Sequence, residues 1–183
     1  MEEKKSLWAF GNSEVVYSGI GAALYGVLSW ATNLLQIPGA ANVSVRPAVA
    51  IPMFFGVAYG PWVGFITGFL GTIIGDLISG YGFWPWWAIG SGLMGFFTGL
   101  VANQMTDYKS GKDILKAEVM VIVGVVVGMG LASLSEMWVS GADLYTAIAF
   151  NFVPAAITNL LWGLILVPIL MIAYSAVISR SGR

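Results

Sequence analysis

The sequence predicts an all-α integral membrane protein of six transmembrane helices with both termini cytoplasmic, and three observations carry that prediction. Composition is the first: 58% of residues are hydrophobic and 9% are charged, where an ordinary soluble domain has roughly 25% charged residues. The mean hydropathy is +0.84, so few polar side chains are left to face water. The second is a series of apolar runs near the ~20 residues that a spanning helix needs. The third is the placement of the basic residues. Lys4 and Lys5 precede the first run, Lys109, Lys112 and Lys116 lie between the fourth and fifth, and Arg180 and Arg183 close the chain. With six spans, all of these fall on one face, which the positive-inside rule makes cytoplasmic. Arg46 alone is left outside.

Taken in order, the helices are expected at 14–35, 47–59, 62–78, 87–104, 117–138 and 145–178, in a single membrane domain over 1–183. The second and third form the central hairpin, RPAVAIPMFFGVAYGPWVGFITGFLGTIIGD from Arg46 to Asp76. A run of this length could be one helix, but Gly60-Pro61 is a strong turn signal and proline in a helix interior forfeits a hydrogen bond. Arg46 and Asp76 then lie on the same side of the membrane. The second helix is short for a span and is expected to pack inside the bundle. Pro154 and Pro168 are expected to kink the sixth helix. The opening MEEKKSLWAFGNSE does not resemble a cleaved signal peptide.

In this topology the polar groups gather at the outer face. Asn33 ends the first helix, Asp76 and Glu136 lie near the outer ends of the third and fifth, and Asn151 lies near the start of the sixth. Asn42, Arg46, Tyr81, Trp84, Trp86 and Trp87 lie in or beside the outer loops. Charged groups in a spanning region are costly and point to a site or pathway. An apolar, aromatic wall with a few placed polar groups is the composition of a small-molecule pocket. The candidate ligand-binding residues are therefore Asn33, Asn42, Arg46, Asp76, Tyr81, Trp84, Glu136 and Asn151. Each also has a plainer role: the tryptophans in an interfacial belt, Arg46 snorkelling to headgroups, the two acids as solvated helix ends, and Asn151 bridging helices. Asn159, in mid-helix, reads as a structural contact.

Small residues recur at four-residue spacing, at Ser18, Ala22 and Gly26 with Gly19 and Ala23 beside them, and again in helices three to five. Such faces let helices approach closely in lipid. The first helix has small residues on more than one face, so one of them is a candidate for docking another membrane protein. Chemistry is sparse by contrast. The chain has no cysteine and no histidine, and it lacks phosphate-loop, HExxH and GxSxG motifs. No metal site, catalytic residue or enzyme activity is predicted. The carboxylates leave a stand-alone secondary carrier as an alternative.

These residues resemble a known family. GIGAALYGVL at Gly19–Leu28, YGPWVGFITGFLG at Tyr59–Gly71, Asp76, and FWPWWAIGSGLMGFFTGL at Phe83–Leu100 are similar to the substrate-specific S components of energy-coupling factor (ECF) vitamin transporters, the riboflavin-type branch most of all. The resemblance implies a multi-pass protein of a prokaryotic plasma membrane that captures a vitamin at the outer face. That vitamin is transported cargo and not a cofactor, and no nucleic acid is involved. The implied partners are a membrane coupling protein and two cytoplasmic ATPases. The small-residue face of the first helix is the implied docking surface (Ser18, Gly19, Ala22, Ala23 and Gly26), and Gln36 to Val45 is the implied lid. Riboflavin is the ligand favoured by the resemblance; thiamine, pyridoxine or a cobalamin-type ligand are the alternatives.

Overall fold

The computed structural model describes residues 6–32 and 45–180, and these are helical with no strand among them. The elements are α1 (Asn12–Thr32), a 3₁₀ turn (Pro47–Val49), α2 (Ala50–Tyr59), α3 (Pro61–Ile78), α4 (Pro85–Gly99), a second 3₁₀ turn (Ala102–Gln104), α5 (Gly111–Val139), the single turn α6 (Leu144–Thr146), a π-helical turn (Ala147–Phe152) and α7 (Val153–Arg180). Four stretches are long and apolar enough to cross a membrane: Asn12–Thr32, Pro61–Ile78, Gly111–Val139 and Leu144–Arg180.

The central hairpin is present. Gly60 has φ +104°, which only glycine adopts without strain, and Pro61 takes the first position of α3. The Gly60 amide closes α2 on the Gly56 carbonyl at 2.8 Å. Behind the turn, α3 packs most extensively on α1 and α4. Glycines make the α3–α4 approach possible: a Cβ on Gly64 or Gly95 would collide with the backbone of the other, and one on Gly99 with Pro61. Higher up, Gly90 and Gly128 bring α4 and α5 together in the same way.

Two boundaries differ from expectation. The fourth helix ends at Gly99, not near 104, and a 3₁₀ turn follows. The fifth begins at Gly111, not 117, because Ser110 caps it by accepting from the Asp113 amide at 3.1 Å. The Asp113 carboxylate then ties down the preceding loop, accepting from the amides of Thr106 and Asp107 at 2.7 and 2.9 Å and pairing with Lys116 at 2.7 Å.

The core is built on α2, which is short and enclosed. Met53 and Val57 are fully buried against Val121 and Val125 of α5 and Val167 and Met171 of α7. At the end of the bundle holding the α2–α3 turn, Tyr174 packs edge-on against Phe54 and Tyr108, with centroids 5.5 and 5.2 Å apart. The opposite end, where α2 and α4 begin and α3 and α5 finish, holds the cavity.

Candidate ligand pocket

A cavity of about 320 Å³ lies among α1, α3, α4, α5 and α7, within the few-hundred-Å³ range of small-molecule sites. Arg46, Asp76, Tyr81, Trp84, Glu136 and Asn151 all line it. These are six of the eight candidates taken from the sequence. Asn33 and Asn42 lie outside the described residues, as does most of the expected lid.

Local structure places each group. Asp76 is in the last turn of α3 and only 6% exposed, buried where a solvated helix end would be open. Arg46, immediately before the first 3₁₀ turn, reaches it with Nη1 3.7 Å from Oδ1. Past α3 the chain reverses through Gly80 (φ +76°) and Gly82 (φ +83°) on either side of Tyr81. Its amide donates to the Asp76 carbonyl at 2.9 Å and its carbonyl accepts from Trp84 Nε1 at 2.8 Å. This loop feeds Pro85 into the first turn of α4, two residues ahead of Trp87. The Trp87 indole crosses to α5 and donates from Nε1 to Glu136 Oε1 at 2.8 Å.

The last wall is irregular for a physical reason. Pro154 has no amide hydrogen, so the bond from residue 154 to the carbonyl of Phe150 cannot form, and the helix opens just before it. Val153 donates instead to Ile148, five residues back. Asn151 sits inside this π-helical turn, is 5% exposed and lines the cavity. The expected break at Pro154 therefore takes the form of a π turn, whereas Pro168 is carried within a continuous α7.

Several lining residues escaped the sequence reading, above all Asn159. Its mid-helix position reads as a structural contact, yet it lines the cavity with Asn151 two turns away, and neither amide has a hydrogen-bond partner among the described residues. Thr72, one turn below Asp76, and Ser91, one turn below Trp87, line it as well. Four- and eight-residue offsets from Asp76, Trp87 and Asn151 were the signal that could have found them. Met94 and Met129 form the floor and belong also to the hydrophobic core. Thr146 and Asn159, thirteen residues apart, both line the wall, so the lining residues span about 20 Å of the helix axis.

The five small residues of the first helix divide between two faces. Ser18, Ala22 and Gly26 are buried inside this chain: a Cβ on Gly26 would lie 2.6 Å from Ile74 Cγ2, and one on Gly71 would lie 3.0 Å from the Ala22 carbonyl. That face packs on α3 and is not free for a partner. Gly19 and Ala23 remain on the exposed face, and nothing lies within 4 Å of a Cβ placed on Gly19.

Among known proteins, the model of the ECF-type riboflavin transporter S component family matches residues 10–176. A UPF0397 protein of Vibrio atlanticus (strain LGP32) is 37% identical over 126 residues, covering 66% of this chain and 68% of the relative. A UPF0397 protein of Aliivibrio fischeri (strain MJ11) is 40% identical over 124 residues, covering 65% and 67%. A third, from Aliivibrio salmonicida (strain LFI1238), is 38% identical over the same length.

Proposed function

Because the chain belongs to the ECF-type riboflavin transporter S component family, we propose that it is the substrate-binding membrane subunit of an ATP-driven importer, capturing riboflavin or a similar aromatic vitamin at the outer face. The family is one of transport components, not enzymes. The observation that carries the reading is the gathering of Arg46, Asp76, Tyr81, Trp84, Glu136 and Asn151 around one cavity of vitamin size, and we assign ligand contact to these six.

S components associate with an ECF module, here taken as a membrane coupling protein and two cytoplasmic ATPases. Gly19 and Ala23, on the exposed face of α1, are the docking residues in this reading. Six crossings of a prokaryotic plasma membrane are proposed, with the loop 105–110 and both termini inside. The positions of the lysines support that orientation. Pro47–Tyr59 and Pro85–Gly99 rise only about 20 and 22 Å, short of the ~30 Å hydrocarbon layer. They complete the count because they are packed within the bundle, away from lipid.

An absorption spectrum of the detergent-purified chain, followed by mass spectrometry of what heat releases, tests the proposal. A flavin band identifies riboflavin as the cargo. Another vitamin keeps the importer and changes its cargo. No released compound, and no binding across a vitamin panel, refutes it.

A further inference from the structure

The cavity carries an uncompensated charge, and it sits among indoles. Four charged residues mark this end of the molecule: Arg46, Asp76 and Glu136 line the cavity, and Asp143 caps Thr146 of the same wall at 2.7 Å. One cation against three acids leaves two negative charges. The segment 33–44 adds no Lys or Arg to this balance. Arg46 is engaged with Asp76 at 3.7 Å. Asp143 is fully exposed and screened by water. Glu136 is different, being half-buried, with one carboxylate oxygen held by the neutral indole N–H of Trp87, and no ion pair among the described residues includes it.

A second cavity of about 260 Å³ adjoins the first across this same carboxylate. Trp84, Trp86, Trp87, Tyr81 and Phe83 bound it, with Glu136 shared by both spaces. A carboxylate flanked by three indoles has the makeup of an organic-cation site: the carboxylate supplies the counter-charge, and the indoles attract a cation too bulky for a hydrated ion pair. A neutral ring in this place would leave the Glu136 charge unanswered in an apolar wall, which is costly.

We infer that the mouth of the pocket, at Glu136, Trp84 and Trp87, binds the positively charged group of an aromatic organic cation, such as a ring bearing a quaternary nitrogen. This rests on the reading of the cavity as the ligand site and, among the aromatic vitamins that reading allows, favours a cationic one over the neutral riboflavin. The test is calorimetric titration of the detergent-purified full chain with 1-methylnicotinamide and with nicotinamide, two water-soluble rings of nearly equal shape of which only the first is charged. The charged ring binds at least about tenfold more tightly, and Glu136→Gln, which keeps an oxygen for Trp87, removes most of that preference. Trp84→Leu weakens the charged ring alone. Equal binding of the two rings by the wild-type chain overturns the inference, as does a preference that survives in folded Glu136→Gln. A neutral vitamin bound equally by wild type and Glu136→Gln overturns it too, while leaving the importer reading in place. Failure of every vitamin in the panel overturns the reading on which it rests.

Discussion

Replacing Gly90 with alanine forces α4 and α5 apart beside the pocket. The new Cβ would lie 2.5 Å from the Gly128 carbonyl oxygen and 3.0 Å from Ala132 Cβ. Both belong to rigid helix walls, so neither yields as a flexible side-chain tip would. Real Cβ contacts do not fall below 3.0 Å, so the helices must separate locally by about 0.5 Å, an overpacking that costs about 1–3 kcal/mol. One turn away, the same displacement stretches the Trp87–Glu136 hydrogen bond from 2.8 Å to about 3.3 Å, beyond the usual N–H···O range. Thermal unfolding of the purified chain, followed by tryptophan fluorescence, then shows a midpoint lowered by roughly 2–10 °C, and ligand affinity falls with it. Gly19→Ala is the control, since nothing surrounds that position and alanine there is neutral or stabilising by about 0.4–1 kcal/mol. If Gly90→Ala unfolds no earlier than Gly19→Ala, the close α4–α5 approach is not what holds this wall together, and the reasoning fails.

Other outcomes follow from the same geometry. Asp76→Leu or Arg46→Met alone strands the partner charge near the cavity wall and costs about 3–5 kcal/mol; the double variant recovers a large part, read as a coupling energy in a double-mutant cycle. At the hairpin tip, Gly60→Ala imposes φ +104° on a residue with a Cβ and lowers stability by roughly 1–3 kcal/mol, measurable in the same unfolding assay. Asp113→Ala frees the amides of Thr106 and Asp107, so trypsin cuts at Lys109 or Lys112 several times faster than in wild type; equal cutting rates would show the loop is held otherwise. Because the chain has no cysteine, Lys112→Cys and Asp143→Cys need no background removal. A membrane-impermeant maleimide labels Asp143→Cys in intact cells and Lys112→Cys only after lysis, and the reverse pattern would invert the proposed topology.

Much of this architecture was legible because lipid imposes strong rules on sequence. The Gly60-Pro61 turn announced itself through backbone chemistry. The gathering of Arg46, Asp76 and Glu136 followed from helix ends and charge alone, with no knowledge of packing. What was hidden depends on rotation about a helix axis, which spacing leaves open. Ser18 and Gly19 both head small-residue stripes, and only contact with Gly71 and Ile74 shows which stripe faces inward. Asn159 looked structural because mid-helix depth says nothing about the direction its side chain faces. The end of α4 was misplaced for a different reason: the apolar run continues beyond Gly99, and the feature marking that position is a tertiary contact with Pro61.

The π turn over Ala147–Phe152 bears on how such a protein can diversify. A π turn is an α-helix carrying one extra residue. Deleting one residue there would turn it into regular α-helix and leave the segments on either side facing nearly as before, because the wide turn already absorbs the ~100° that the extra residue would otherwise add. Thr146 and Asn159, on either side of it, would both keep their places, and the change would fall on the turn that carries Asn151. A single-codon deletion at this point thus reshapes the cavity wall at Asn151 and leaves the rest of the helix in register. Relatives that differ in length here are where altered cargo is to be sought first.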